Sequence, residues 1–358
     1  MLKSPNNCYT IDYRRVHRKS IPLHERRNMK KISLLVALVA ILLVTIFFYS
    51  RPQHRLTTIG FLFPDSMYDQ TWGTEGYKGM LEIAQSYETA FFYEQNINTN
   101  EEIKTAVKRM ADRNVQVLYG QGMEFSDAFN EVAAKYPDIH FVVFNGESKA
   151  DNVTIINIDA YTMGYFGGMT AAHHSKTGHI GVIGSFKSQP EIEGFKDGAI
   201  FENKNIKLHE YYVKTFSYDS RGTDIAENFI KNKKVDVLFP AGDGINADIM
   251  SYARDHDTNV IGFISDQSNY GPQVLMSTQV KIPAAYVKVA KLYEEGNLKG
   301  GRLNWGIKEN LVGVGKLSRR MDNQFTTQLK KDLAHYKETN LLPSGETPPA
   351  EHDAYRQD

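Results

Sequence analysis

Two short segments carry side chains that could do chemistry. Residues 64–73 read PDSMYDQTWG and follow an apolar run, so Asp69 and Trp72 flank the start of a helix. One reading is a polar group beside an aromatic plate, suited to a planar ligand; the other is a helix cap beside a core aromatic. The residue types leave both open. Further on, Gly242-Asp243-Gly244-Ile245-Asn246-Ala247 fits G-x-G-x-x-A between a strand and a helix, and Asp266 follows 24 residues later. That is near the spacing of a ribose-binding acid in dinucleotide sites. Against that use, Asp243 would set a carboxylate where pyrophosphate must sit, and the unit lies deep in the second half of the chain. A glycine turn lining a cleft suits these residues better.

His173, His174 and His179 suggest a metal at first sight. Adjacent helical residues point about 100° apart, so His173 and His174 cannot readily share an ion. Gly313-Val314-Gly315-Lys316 lacks the spacing of a phosphate-binding loop, and Glu294-Glu295 falls on a solvated helix end. The chain has no G-x-S-x-G, H-E-x-x-H or C-x-x-C pattern. No catalytic constellation, cofactor or metal site is expected, and the chain reads as a binding protein rather than an enzyme.

The elements that must position these residues follow a repeating pattern. Short apolar runs begin at Thr57, Thr89, Val115, Ile139 and Val153, separated by stretches with helical spacing. The same alternation resumes from His179 to Val280. Such spacing implies βαβ units and parallel sheets. Between the halves lies GYFGGMTAAHHSKTGHIGVIGS, residues 164–185. Gly164, Gly167 and Gly168 sit in a run read as helix from Met163 to Lys176, and each costs roughly 1 kcal/mol there relative to Ala. They are tolerable only where another backbone or a ligand comes close. The expected fold is α/β with two doubly wound parallel-sheet lobes and an interlobe cleft: lobe 1 from about 57–160 and 270–310, lobe 2 from about 161–268 and 316–339. A segment at 340–358, rich in proline and polar residues, is expected to be disordered.

The chain carries 42 basic and 42 acidic residues, but unevenly. Residues 1–31 hold nine Lys/Arg against Asp12 and Glu25, a net +7, which leaves 33 basic against 40 acidic residues beyond. An acidic body argues against nucleic-acid binding. The single cysteine, Cys8, excludes intrachain disulfides. Ile32 to Tyr49 is 18 residues without a charge, about the minimum to span a bilayer as a helix. Neither an A-x-A cleavage site nor a lipid-accepting cysteine follows it. An uncleaved single-pass anchor is therefore expected, with a basic cytoplasmic tail at 1–31, a linker at 50–56, and the body outside. Met29-Lys30-Lys31 would itself make a normal start, so residues 1–28 are read as an upstream extension that is not always translated.

Several stretches taken together resemble one family. AKYPDIHFVVFNGES, ADNVTIINID, PEIEGFKDGA, VDVLFPAGDG and GFISDQS, with residues 164–185, occur in the order and spacing of the basic membrane protein family. These are type I solute-binding proteins that include nucleoside receptors. The resemblance covers about residues 57–337 and implies a type I periplasmic-binding-protein-like fold. It also implies ligand roles for Asp69, Trp72, Asp266 and Lys281, with Asn145, Gly242 and Asp243 beside them in the cleft. Three positions depart from the family: Ile264 stands where it has a sugar-binding acid, Asn145 where it has an acid after the fourth strand, and Gly73 where it has asparagine. Each lost carboxylate removes a charge-assisted hydrogen bond of order 1.5–3 kcal/mol. The DQTWGTEGYKGM and PAGDG stretches resemble a regulatory branch of the family, which implies positive regulation of competence with a small nucleoside-like ligand as possible partner. The alternatives are the receptor subunit of a nucleoside importer and, further off, a nucleotide-dependent enzyme.

Overall fold

The computed structural model describes residues 36–42 and 55–349. Residues 36–42 form a helical stretch, α1, whose apolar side chains Val36, Leu38, Val39 and Ile41 are exposed. Among the described residues no helix is long and apolar enough to cross a membrane. The rest of the segment 32–49, the tail 1–31 and most of the linker lie outside them.

The body carries two six-stranded sheets. The first has the order β11-β5-β4-β3-β1-β2 and is parallel throughout. Its strands are β1 (Thr58–Leu62), β2 (Ala90–Glu94), β3 (Val117–Gly120), β4 (His140–Phe144), β5 (Val153–Ile158) and β11 (Gly301–Trp305). The second has the order β12-β10-β9-β8-β6-β7, with β6 (His179–Gly184), β7 (Lys207–Tyr212), β8 (Val237–Ala241), β9 (Asn259–Gly262), β10 (Val274–Val280) and β12 (Val312–Val314). Only β12 runs antiparallel there. The central strands are buried along their length, β3 and β8 at every residue, because helices cover both faces.

Helices α2 (Trp72–Tyr87) and α9 (Ile282–Glu294) pack together on one face of the first sheet, while α3 (Asn100–Asp112) and α4 (Phe125–Val132) close the other. On the second sheet, α5 (Ala160–His174) and α6 (Pro190–Glu202) face α10 (Asn323–Thr339), and α7 (Arg221–Lys233) and α8 (Asp243–Asp255) cover the far side. The chain crosses between lobes three times: after β5, after β10 and after β11.

This corrects the expected lobe boundaries. Residues 274–280 belong to the second sheet, since β10 pairs with β9 and β12; only α9 and β11 return to the first lobe. β11 carries no apolar run, having the sequence GRLNW with alternating burial at a sheet edge. The tail expected to be disordered is folded as far as it is described: Leu342 is 3% exposed, and its amide donates to the Glu346 carbonyl at 2.8 Å. Leu342 packs into the main core cluster and draws the segment against it. α5 begins three residues earlier than its glycines suggest, at a cap where Asp159 Oδ1 accepts from the Thr162 amide at 3.1 Å.

Gly164 and Gly168 of α5 meet Gly194 and Gly198 of α6 at backbone contact. A Cβ built on Gly164 would lie 2.0 Å from the Glu191 carbonyl oxygen, and one on Gly168 1.9 Å from that of Phe195. Reciprocally, a Cβ on Gly194 would lie 2.0 Å from the Tyr161 oxygen and one on Gly198 1.9 Å from that of Tyr165. The propensity cost of the glycines is offset by this close packing of two helices.

Gly168→Ala is therefore expected to destabilise the protein by about 3 kcal/mol in a chemical melt, because backbone rather than a side chain must yield. Gly313→Ala, where an added Cβ meets nothing within 4 Å, serves as control and should change stability little. Equal effects of the two would contradict the packing account.

Candidate functional site

Between the carboxyl ends of the two parallel sheets lies a cavity of about 610 Å³, within the range of small-molecule sites. The segments after β1, β3 and β4 supply one wall, and those after β7, β8 and β9 the other, with the start of α6 between.

The first wall is organised by Asp69. Its carboxylate accepts from the amides of Thr71 at 2.9 Å, Gly73 at 2.7 Å and Thr74 at 3.0 Å. Asp69 thus holds the first turn of α2, where the helix dipole favours an anion. Trp72 is half-buried, packs edge-on against Phe144 at 5.1 Å, and donates from Nε1 to the Gln121 carbonyl at 3.3 Å. Gln121 returns a bond from Nε2 to the Trp72 carbonyl at 2.8 Å. The two readings of this segment are not exclusive, since cap and core aromatic both also line the cavity.

The opposite wall begins at Gly242, which caps α8 and leads Asp243 to the cavity. Gly242 itself is packed tightly, a Cβ there falling 2.6 Å from Ser185 Oγ. Gln189 Nε2 donates to Glu191 Oε1 at 2.8 Å and to the Ala241 carbonyl at 3.1 Å, which fixes Glu191 at the first turn of α6. Glu191 is 3% exposed. One oxygen each of Glu124, Glu191 and Asp243, and the amide oxygen of Asn145, is buried without a hydrogen-bond partner.

Burial pushes the Asp243 carboxyl up to about 8, with the charges of Asp69 and Glu191 adding to the effect against Thr71 and the Trp72 amide. Burial likewise raises Glu191, and it raises Glu124, to which the charge of Asp65 adds. Backbone conformation marks the same region. Gln70, Asn145 and Ile264 have φ of 64°, 62° and 64°. For a β-branched residue that conformation is an outlier costing roughly 1–3 kcal/mol. Ile264 is held there by its amide bond to Thr278 Oγ1 at 3.3 Å and by the Val280 amide, which donates to its carbonyl at 2.8 Å.

The two lobes touch across the cavity mouth. Ser217 Oγ donates to Asp65 at 3.1 Å, Tyr270 Oη to Gln70 Oε1 at 2.7 Å, and Ser265 Oγ to the Gln70 carbonyl at 3.4 Å. Of the residues proposed from sequence, Asp69, Trp72, Asn145 and Asp243 line the cavity; Gly242 does not line it but precedes Asp243 as the cap of α8. Asp266 and Lys281 do not line it. Asp266 is exposed and accepts from the Ser268 amide at 3.1 Å, closing its own turn. Lys281 precedes α9, where its amide donates to the Leu311 carbonyl at 2.8 Å. Glu124 and Glu191 carry no signal in the sequence; each is an ordinary acid near a helix start, and only the fold brings both to one cavity. His173 stacks on Phe325 at 4.1 Å and bonds Glu202 at 2.8 Å, while His174 accepts from the Asp322 amide at 3.2 Å, both in packing roles. Among the described residues no group of three or more His, Cys, Asp or Glu is placed to hold a metal.

Because Asp243 stays protonated in the folded state well above the usual carboxylate range of about 4, the native state binds protons that the unfolded chain has released. Stability then falls as pH rises toward and through 8. Below about 6.5 the trend is opposed by His140, which burial drives down to about 4, so the informative window is pH 6.5 to 8.5. The unliganded protein should melt a few degrees lower at the upper end, and Asp243→Asn should flatten the difference. A wild-type melt unchanged over that window would contradict the assignment.

The comparisons with known proteins agree with this architecture. The family described as ABC transporter substrate-binding protein PnrA-like matches residues 56–346. The chain is 38% identical over 293 residues to the transcriptional activator protein med of Bacillus subtilis, covering 82% of this chain and 92% of that protein. It is 25% identical over 308 residues to a purine-binding protein of Brucella abortus, covering 84% and 85%. Among solved structures, a transcriptional activator of the comK gene from Bacillus halodurans superposes with a TM-score of 0.73 at 32% identity, covering 80% of this chain and 99% of that one. With the fold, the cleft and a match across nearly the whole body in hand, the chain belongs to the PnrA-like family of substrate-binding proteins.

Proposed function

We propose that this protein is a membrane-tethered, outward-facing regulator that takes a small planar, nucleoside-like ligand into its interlobe cleft, and that its role is positive regulation of a competence programme. The observation that carries the binding half is the cavity itself, walled by Trp72 on one lobe and Asp243 on the other and bridged at its mouth by Ser217–Asp65 and Tyr270–Gln70. Contacts of that kind let a ligand favour the closed state. The regulatory half is supported by two relatives named as transcriptional activators, one in Bacillus subtilis and one in Bacillus halodurans. The tether is supported by the uncharged run from Ile32 to Tyr49 and the basic residues before it.

The second reading, an importer's receptor subunit, is favoured by the family's description and by the purine-binding relative. It is disfavoured by the cavity wall. Ile264 and Asn145 both line the cleft, where the resemblance to nucleoside receptors would call for carboxylates. Two lost charge-assisted bonds weaken a ribose-gripping site roughly a hundredfold or more.

Calorimetric titration separates the readings. Adenosine and guanosine are expected to bind more weakly than about 1 μM, and Trp72→Ala should weaken them further. Submicromolar binding of either would favour transport over regulation. In intact cells, an impermeant lysine reagent is expected to label both lobes; protection of both would overturn the outward orientation.

A further inference from the structure

The cleft is one-sided in charge. Asp65, Asp69, Glu124, Glu191, Asp243 and Asp248 line it, and among the described lining residues none is Lys, Arg or His. Three of these acids have internal partners. Asp69 is saturated by three amides, Asp65 accepts from Ser217, and Asp248 stands beside the Tyr218 hydroxyl. The other three each keep one buried oxygen without a partner, although the Thr71 hydroxyl and the Trp72 amide lie close to Asp243. Glu191, 97% buried, bonds Gln189 through Oε1 and leaves Oε2 without a partner; Asp243 Oδ1 and Glu124 Oε2 are likewise buried and unpaired. The unpaired amide oxygen of Asn145, also buried in this wall, is a fourth acceptor. Buried polar groups without partners are rare and costly. The open oxygens of Glu191, Glu124 and Asn145 are acceptors, and Asp243 becomes one when a charged partner displaces its proton, so the partner that fits them is rich in donors.

Charge and shape narrow it further. A neutral occupant supplies no countercharge, so burial keeps favouring the protonated forms of these acids, whereas a cation offsets that burial cost and lets them ionise against it. A phosphate-bearing occupant would meet six carboxylates and no cation. The remaining lining includes Phe63, Trp72 and Phe263, and aromatic faces add attraction for an organic cation. A bare metal ion is a poor fit, because no group of three or more potential ligands among the described residues is close enough to hold one.

Resting on the reading of the cleft as a ligand site, we propose that its occupant is a planar organic cation, an amidinium, guanidinium or positively charged heteroaromatic base, whose N–H groups bond Glu191 and Asp243 while its ring lies against Trp72.

Two isosteric pairs test this by calorimetric titration of the full chain in mild detergent at neutral pH: benzamidine against benzamide, and 1-methyladenosine, a cation, against adenosine. In at least one pair the cation is expected to bind about tenfold more tightly or better. Glu191→Gln, which keeps the bond to Gln189, should remove most of that preference, with Asp243→Asn as the second variant should the first fail to fold. Neutral and cationic partners bound equally in both pairs would overturn the cation proposal while leaving the cleft as a ligand site. No binding of any of the four would overturn both, as would a preference for the neutral members over the cations. A cation preference untouched in both variants would also overturn the proposal, since the carboxylates named would not be its source.

Discussion

The structure depends on one backbone contact. Helices α5 and α6 approach so closely at Gly164, Gly168, Gly194 and Gly198 that no methyl group fits between them. α5 is buried along nearly all its length and has no polar face, whereas α6 turns Glu193, Lys196 and Asp197 outward. Their contact fills the inner side of the second sheet and leaves α5 in touch with β8, β9, β10 and β12. It also sets the first turn of α6, and with it Glu191, at the cleft. The Glu191 carbonyl is the atom that Gly164 approaches, so the packing of the second lobe and the placement of a buried acid are one constraint.

The cleft follows from parallel topology. Strands that run the same way deliver their carboxyl ends to one edge of each sheet, and the loops leaving them carry the polar groups. In this chain those loops are unusually acidic and are held in place by short-range bonds. Asp69 fixes the turn into α2, Gln189 fixes the turn into α6, and Gln267 Oε1 accepts from the Phe263 amide at 2.9 Å to fix the loop after β9. The left-handed conformations of Gln70, Asn145 and Ile264 lie on the same surface. Strain collected where a ligand would sit is consistent with a site shaped before binding.

Much of the architecture was legible in the residues because it rests on local periodicity. The strands and helices of both lobes alternate at spacings that little but βα units produce, and the glycines of one helix signal the close approach that Gly164 and Gly168 make; a Cβ on Gly167 would instead meet the side chains of Ile261 and Thr278 at 3.3 and 3.5 Å. The failures have equally physical sources. The edge strand β11, with Arg302 and Asn304 facing solvent, has no apolar signature. β10 was assigned to the wrong lobe because sheet membership is decided by pairing, which a single strand's composition does not encode. Residues 340–349 have a composition that reads as disordered, yet Leu342 is buried in the core. At the site, Asp69, Trp72, Asn145 and Asp243 were visible as residues following strands or opening helices. Lys281 rests on the resemblance alone, and Asp266 on the resemblance and its spacing from Gly242; both fall outside the cavity. Glu124 and Glu191 are ordinary acids in sequence, and only burial beside Asp243 makes them notable.

The central claim is that the cleft between the lobes is an occupied ligand site rather than a relic of a transport fold. Native mass spectrometry of the full chain, purified from its source cells under non-denaturing conditions and compared with the same sample after unfolding, tests it most directly. The account predicts a mass excess of a few hundred daltons that is released on unfolding as a nitrogen-rich aromatic molecule and is missing from Trp72→Ala. A bare polypeptide mass in the native spectrum, unchanged on adding a concentrated small-molecule extract of the source cells, would contradict it.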